Sequence, residues 1–315
     1  MKKAFILAQV LVILAQGAIA QQVPKVTHFW YDQTRINPGS AGNTDMICAS
    51  LIYRDMMMGF TEEGTPRIFM GNINVPFKLF GANHGAGLAI TSDQIGFYRD
   101  VDARISYAYQ AKVGDGNLGI GAAFGFIQKG LEGAEWKAPM GETPDGNIPT
   151  DGDQGNGFTV SPGVFYRTED IYFGVSAMNL YSNGVSYKTT SVEEKIVPHY
   201  FLTAGYDISL PNPSFSLAPA VLMQTDLKAV NFDINATLTY NKKIWGGVTY
   251  RPGVSINPLI GFELMNGARI GVSYEYMTTD MQKHINVGGL EFVLNYCFKL
   301  GVEKMPQKYR SIRYL

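Results

Sequence analysis

The sequence predicts an all-β fold: a transmembrane antiparallel β-barrel of about fourteen strands with both termini in the periplasm. Three observations lead there. An export signal opens the chain with no helical anchor behind it. Segments of about ten residues alternate apolar and polar side chains. The links between those segments tend to alternate between tight and long.

The export signal comes first in the chain. Lys2 and Lys3 precede a short apolar run, Ala4 to Gln16, and Ala18-Ile19-Ala20 has the small-residue spacing of a cleavage site. Residues 1–20 therefore read as a signal peptide, with the mature chain beginning near Gln21. The run is shorter than the roughly 20 residues a spanning helix needs, and no later stretch is long and apolar enough. No cysteine follows the cleavage site to carry a lipid. Charged residues make up 17% of the chain, against about 25% in an ordinary soluble protein. The net charge of −1 gives nucleic acid no basic footprint. An exported chain rich in Tyr, Phe and Gly and poor in charge is either a soluble exported β protein or an outer-membrane barrel.

Alternation favours the barrel. Val101, Ala103, Ile105, Tyr107 and Tyr109 share one face of a strand whose other face carries Asp102, Arg104, Ser106, Ala108 and Gln110. Phe232, Ile234, Ala236, Leu238 and Tyr240 likewise oppose Asp233, Asn235, Thr237 and Thr239. The same holds for Ala268 to Tyr276 and for Leu290 to Phe298. Soluble sandwich strands alternate too, but their usual length is about 5–6 residues. Here tyrosines also gather at the ends of the apolar faces, as in an interfacial girdle.

Fourteen strands are predicted, near 47–54, 67–76, 85–92, 101–112, 117–129, 157–167, 171–180, 198–210, 214–226, 230–240, 244–252, 257–265, 268–276 and 288–299. Tight links follow strands 4, 6, 8, 10 and 12, among them Asn266-Gly267, a strong hairpin signal. Longer links follow strands 1, 3, 5, 7 and 13. The short links after strands 9 and 11 depart from the pattern. Short periplasmic turns and longer outer loops are the barrel rule. The longest link, Gly130 to Asn156, holds Asp145, Asn147, Asp151 and Asp153, but Gly155 stands where a calcium loop needs its third ligand, so it reads as a solvated outer loop.

No constellation for catalysis, metal or cofactor is present. His28, His84, His199 and His284 form no metal-ligand motif, and there is no nucleophile elbow, so the chain is expected not to be an enzyme. The inward faces should carry Asp102, Arg104, Asp233, Asn235, Arg251, Arg269 and Glu275, since an Arg or Lys facing lipid at the midplane costs about 2–4 kcal/mol. These groups either fill and solvate the interior or line a conduit. Residues 21–46 hold a Pro/Gly/Asn-rich run that reads as a plug-like segment before a barrel at 47–300. Cys48 and Cys297 fall near the periplasmic ends of the first and last strands. They form either a disulfide across the seam or two free thiols. A basic tail, 301–315, follows, with Lys308, Tyr309, Arg310 and Arg313 as candidates for docking a periplasmic partner or simply as a frayed end.

Several blocks resemble one family. Thr27-His28-Phe29-Trp30-Tyr31 through Asn37-Pro38-Gly39-Ser40-Ala41-Gly42 is similar to the opening of PorP/SprF proteins. His84-Gly85-Ala86-Gly87-Leu88, Tyr172-Phe173-Gly174-Val175-Ser176, Trp245-Gly246-Gly247 and Tyr296-Cys297-Phe298 follow in the family's order. Met57-Met58-Gly59 stands where the family usually has a Trp, which puts one local contact in doubt. The resemblance implies an outer-membrane component of the type IX secretion system that supports export or surface attachment of cargo bearing a C-terminal sorting domain. The partners it implies are outer-membrane lipid, periplasmic machine proteins and that cargo. Two other readings compete: a porin-like or hydrophobic-substrate channel, and a soluble adhesin.

Overall fold

The computed structural model describes residues 23–58, 64–131, 152–187, 193–264, 267–279 and 288–299. The predicted signal peptide at 1–20, most of the 130–156 link, and the tail at 301–315 with Lys308, Tyr309, Arg310 and Arg313 lie outside them.

Fourteen strands form the wall. They are β1 (Ile47–Met58), β2 (Arg67–Leu79), β3 (Ala82–Ile95), β4 (Tyr98–Val113), β5 (Gly116–Leu131), β6 (Asp153–Arg167), β7 (Ile171–Met178) and β8 (His199–Tyr206). The circuit continues with β9 (Phe215–Thr225), β10 (Val230–Tyr240), β11 (Ile244–Arg251), β12 (Ser255–Glu263), β13 (Ala268–Met277) and β14 (Gly288–Phe298). Each pairs antiparallel with its chain neighbour, and β1 pairs with β14 from Ile47↔Phe298 to Asp55↔Leu290. The sheet is closed, so no edge is left with unpaired backbone groups, the condition for crossing a lipid bilayer as strands.

The side-chain period of two then separates the two faces. In β10, Phe232, Ile234 and Leu238 are exposed on the outside while Asp233, Asn235 and Thr237 are buried inside. In β4, Ile105, Tyr107 and Tyr109 point out while Arg104, Ser106 and Gln110 point in. Aromatics ring both ends of the outer surface, with Phe97, Tyr98, Tyr250 and Tyr276 at one and Tyr109, Tyr206, Tyr240 and Phe298 at the other. Placing arginine in the apolar belt, as Ile105→Arg, is expected to destabilise the folded barrel by about 2–4 kcal/mol, and Val113→Arg at a strand end by about 0–1. Reversible urea titration in lipid vesicles measures both. Equal costs at the two positions would contradict the belt.

The link pattern needs one correction. The link after the third strand is a two-residue turn, not a longer loop, because pairing continues through Gln94↔Arg99 and Ile95↔Tyr98. Gly96, at φ 58°, supplies the left-handed backbone that so tight a turn requires. Strand 6 also starts earlier than predicted, with Asp153 paired to Leu131. Strand 7 ends at Met178. Beyond it, Tyr181–Ser182 and Val185–Tyr187 continue in the same direction along β6, and Glu193–Glu194 pairs with Val185–Ser186. The end of the barrel where β1 starts and β14 finishes is called the turn end below, and the opposite end the loop end.

Candidate functional site

The lumen is not empty. Residues 23–46 run through it as a 3-10 turn (Phe29–Tyr31), one turn of α-helix (Gln33–Ile36) and a second 3-10 turn (Pro38–Ser40). Pro38 opens that last turn and the Asn37 side chain caps it by accepting from the Gly39 N–H. The segment brings its own apolar side chains. Val23, Val26, Phe29 and Ile36 pack against Ile52, Ile68, Met70, Met178, Phe201, Leu222 and Val293 of the wall. A side chain the size of Phe29 buried in this way contributes about 1.5–3 kcal/mol.

Glycines of the wall let the backbone of the segment come very close. A Cβ on Gly119 would lie 1.9 Å from the Gly39 carbonyl oxygen, one on Gly85 2.0 Å from that of Ala41, and one on Gly121 2.5 Å from that of Pro38. A Cβ on Gly163 would meet Asn37 Oδ1 at 2.2 Å. Only glycine fits these wall positions, so β3, β5 and β6 are shaped to one ligand, the chain's own residues 37–42. Polar groups fix the register. Asn37 Nδ2 donates to the Val164 carbonyl (2.9 Å), Gln110 Nε2 to those of Gly39 (3.0 Å) and Ala41 (2.5 Å), and Ser176 Oγ to that of Ile36 (2.6 Å).

Toward the loop end a charge network anchors the start of the segment. Glu291 accepts from the backbone N–H of Thr27 (2.7 Å) and His28 (2.9 Å) and pairs with His28 Nδ1 (2.7 Å). Arg251 bridges Asp233 (3.0 Å) and Glu275 (2.9 Å), and Arg54 joins Glu275 to the Lys25 carbonyl. Lys25 Nζ reaches Asn231 near the start of β10 (2.9 Å). The described part of the segment therefore starts on the loop-end side of the lumen, at Lys25 to His28, and ends at the turn end, where β1 begins.

Of the predicted inward residues, Asp233, Arg251 and Glu275 meet in this one network. Asn235 is buried beside it and donates to Thr249 Oγ1 (2.9 Å). Arg104 and Asp102 pair separately near β6, Arg104 also donating to Asn179 (2.9 Å) and Ser161 (3.1 Å). Arg269 sits apart at the turn end, half-exposed and paired with Glu263 (2.8 Å). Sequence reasoning did not single out Glu291, Arg54, His28 or the wall glycines as a set. The inward parity of Glu291 was legible, but its partners lie 263 and more residues away in the chain.

Below the segment, at the turn end, lies a cavity of about 510 Å³. Trp30 and Tyr31 of the segment, Trp245 and Asn235 of the wall, and Arg167, Asp207 and Lys242 near the mouth line it. Burial pushes the Asp207 carboxyl up, with Arg167 opposing. Cys48 and Cys297 line the same cavity. They face each other in the β1–β14 register, bonded at 2.11 Å between sulfurs. The bond is expected to hold in the exported protein. Unfolded protein should take up thiol-alkylating reagent only after reduction, and the double variant Cys48→Ser, Cys297→Ser should lose about 2–4 kcal/mol of stability. Equal alkylation with and without reductant would rule the bridge out.

A closed antiparallel barrel of fourteen strands, apolar outside and girdled by aromatics, defines an outer-membrane β-barrel protein, here one whose lumen is occupied by its own N-terminal segment. The chain belongs to the family described as type IX secretion system membrane protein PorP/SprF, whose sequence model matches residues 18–296. A search of curated proteins finds no match. Solved barrels with similar outlines include the toluene transporter TbuX of Ralstonia pickettii, at 12% identity and a TM-score of 0.49, over 85% of this chain and 93% of that one. Omp33 of Acinetobacter baumannii gives 7% and 0.48 over 82% and 100%. A FadL homologue of Pseudomonas aeruginosa gives 14% and 0.43 over 84% and 92%. The barrel assignment rests on the closed strand order, and these distant likenesses add no argument about function.

Proposed function

We propose that this chain is a closed, non-enzymatic barrel of the type IX secretion system that supports export or surface attachment of cargo with a C-terminal sorting domain. Cargo and periplasmic machine proteins meet its ends and its tail. Its lumen is not the conduit. The observation that carries this is the seating of residues 37–42 against Gly85, Gly119, Gly121 and Gly163, contacts that no side chain could replace. A porin needs an open lumen, and a barrel of this size would have one if it were empty. Here the wall is shaped to keep the lumen filled.

In this reading residues 1–20 direct export and are removed, the turn end faces the periplasm, and the basic tail with Lys308, Tyr309, Arg310 and Arg313 reaches periplasmic partners. The test is purification of the tagged protein from its native outer membrane in gentle detergent, with mass spectrometry of what accompanies it. Secretion-machine components or a sorting-domain protein are the expected companions. Recovery of the barrel alone, under conditions that keep other envelope complexes intact, would shift the assignment to a transporter.

A further inference from the structure

Phe80 sits where its residue type is poorly suited. It opens the two-residue turn between β2 and β3, whose ladder runs to Leu79↔Ala82. Its φ is 51° and that of Gly81 is 81°, the left-handed pair that so tight a hairpin turn requires. Asn and Gly suit the first of these positions, and Asn241 holds a like one at φ 48° between β10 and β11. A bulky aromatic there is strained. Nothing within the fold offsets that strain, because Phe80 is 97% exposed and so packs against almost nothing of its own chain. A strained side chain that the fold does not use points to a use outside it.

The turn also stands clear of the aromatic girdle. Asn74 pairs with Cys48 near the start of β1, and β2 runs on from Asn74 to Leu79. That extension is about 16 Å of strand at about 3.3 Å per residue. The girdle aromatics on either side stop short of the tip, since Phe298 pairs with Ile47 and Tyr109 with His84. Phe80 therefore projects past the lipid interface on the turn-end side, where a second protein can reach it. The charges around it are mainly positive. Lys112 lies across from the tip, on the part of β4 that continues beyond the Asn83↔Gln110 pair. Lys78 adjoins on β2, and Lys299 follows β14, two strands away. All three are exposed, as are the nearby carboxylates Asp45 and Asp115. The chain beyond Lys299 adds Lys304, Lys308, Arg310 and Arg313 against Glu303. An apolar tip set among cations fits an apolar socket rimmed by carboxylates.

We propose that the β2–β3 turn docks a periplasmic protein, with Phe80 entering an apolar socket whose rim is acidic. This rests on the secretion reading, with the turn end in the periplasm, and names the part of the barrel that the partner grips.

The test puts the photoreactive p-benzoylphenylalanine in place of Phe80 in the full chain, in its native outer membrane, and identifies the cross-linked peptide by mass spectrometry. The expected product is a periplasmic protein joined at an apolar stretch flanked by Asp or Glu. Recovery of that protein with the tagged barrel should fall about tenfold or more in Phe80→Asp, and by a smaller factor in Lys112→Glu. Phe80→Asn should lose the partner too, while its urea midpoint stays unchanged or rises, because the left-handed position now suits its residue and no packing is lost. Heat-modifiable gel mobility verifies that each variant is folded. Secretion-machine proteins recovered equally with the intact chain and with Phe80→Asp would overturn the docking turn and leave the secretion reading standing. No periplasmic companion for the intact chain would remove that reading and this inference with it. A cross-link to lipid alone would make Phe80 a membrane anchor, and one to a second copy of the chain would make the turn a self-association site; either overturns the proposal.

Discussion

Deleting residues 23–44 is expected to turn a silent barrel into a conducting one. Eight-stranded barrels are filled by their own side chains, whereas barrels of 16–18 strands leave an aqueous channel. Fourteen strands lie between, so what fills the middle decides. Here it is the backbone of residues 37–42 against wall glycines, and the side chains of Val23, Val26, Phe29 and Ile36 against the inward apolar residues. Planar-bilayer recordings should show no discrete steps for the intact protein and clear open-channel steps for the deletion. Gly119→Val should act in the same direction with the chain length unchanged, because its Cβ would occupy the place of the Gly39 carbonyl, 1.9 Å away. Overpacking alone costs about 1–3 kcal/mol, and unseating the segment relieves it. Unchanged conductance in both variants would remove the plug and with it the main argument against a transporter.

The second large effect concerns Glu275. It is 5% exposed, and it accepts from Arg251 and Ser255 (both 2.9 Å) and from Arg54. Glu275→Ala leaves two buried guanidiniums with one fewer anion between them and is expected to cost about 3–5 kcal/mol, the range for breaking a buried ion pair. Replacing Arg54, Glu275 and Arg251 together by apolar residues of similar volume should recover most of that loss, since a well-packed apolar substitute for a buried ion network is often neutral or better. Urea midpoints of the single and triple variants decide. A triple variant no more stable than Glu275→Ala would mean that the network also fixes the Lys25 end of the segment, through the Arg54 bond to its carbonyl.

The wall was legible in the sequence because one physical rule governs it. A strand with lipid on one side and a polar interior on the other must alternate, and the runs containing Ile105, Ile234 and Phe292 do so, with Ala108 and Val293 as apolar residues on the inward face. Inward parity was therefore readable for Arg104, Asp233, Arg251 and Glu275. The partners of those residues were not, since pairing of Arg251 with Glu275 depends on which strands adjoin and how the register is set. The turn between β3 and β4 was missed for a related reason. Residues 93–100 contain Gly and charged residues, which read as a loop, yet Asp93 and Asp100 sit opposite each other in a continuing ladder. The glycine seat was the least legible feature. Glycine is common throughout this chain, at 35 residues, and nothing local distinguishes Gly119, beneath the Gly39 carbonyl, from Gly246, whose added Cβ would meet nothing closer than 3.7 Å. The N-terminal Pro/Gly/Asn run did suggest a plug, but the place where it docks is written in strands a hundred residues further on.

The path of residues 23–46 also constrains the order of folding. The first part of the mature chain to be made is enclosed by the last. Thr27 is held by Glu291, 264 residues later, and the seam that shuts the circuit joins residues 249 apart. Contacts of such long sequence separation form slowly, because loop-closure entropy must be overcome before they stabilise anything. Until β14 meets β1, the apolar residues of the segment have no complete enclosure, and an unpaired strand edge invites aggregation. A chain built in this way depends on being held open and unaggregated between export and closure. Its stability once closed and its difficulty in closing have the same origin.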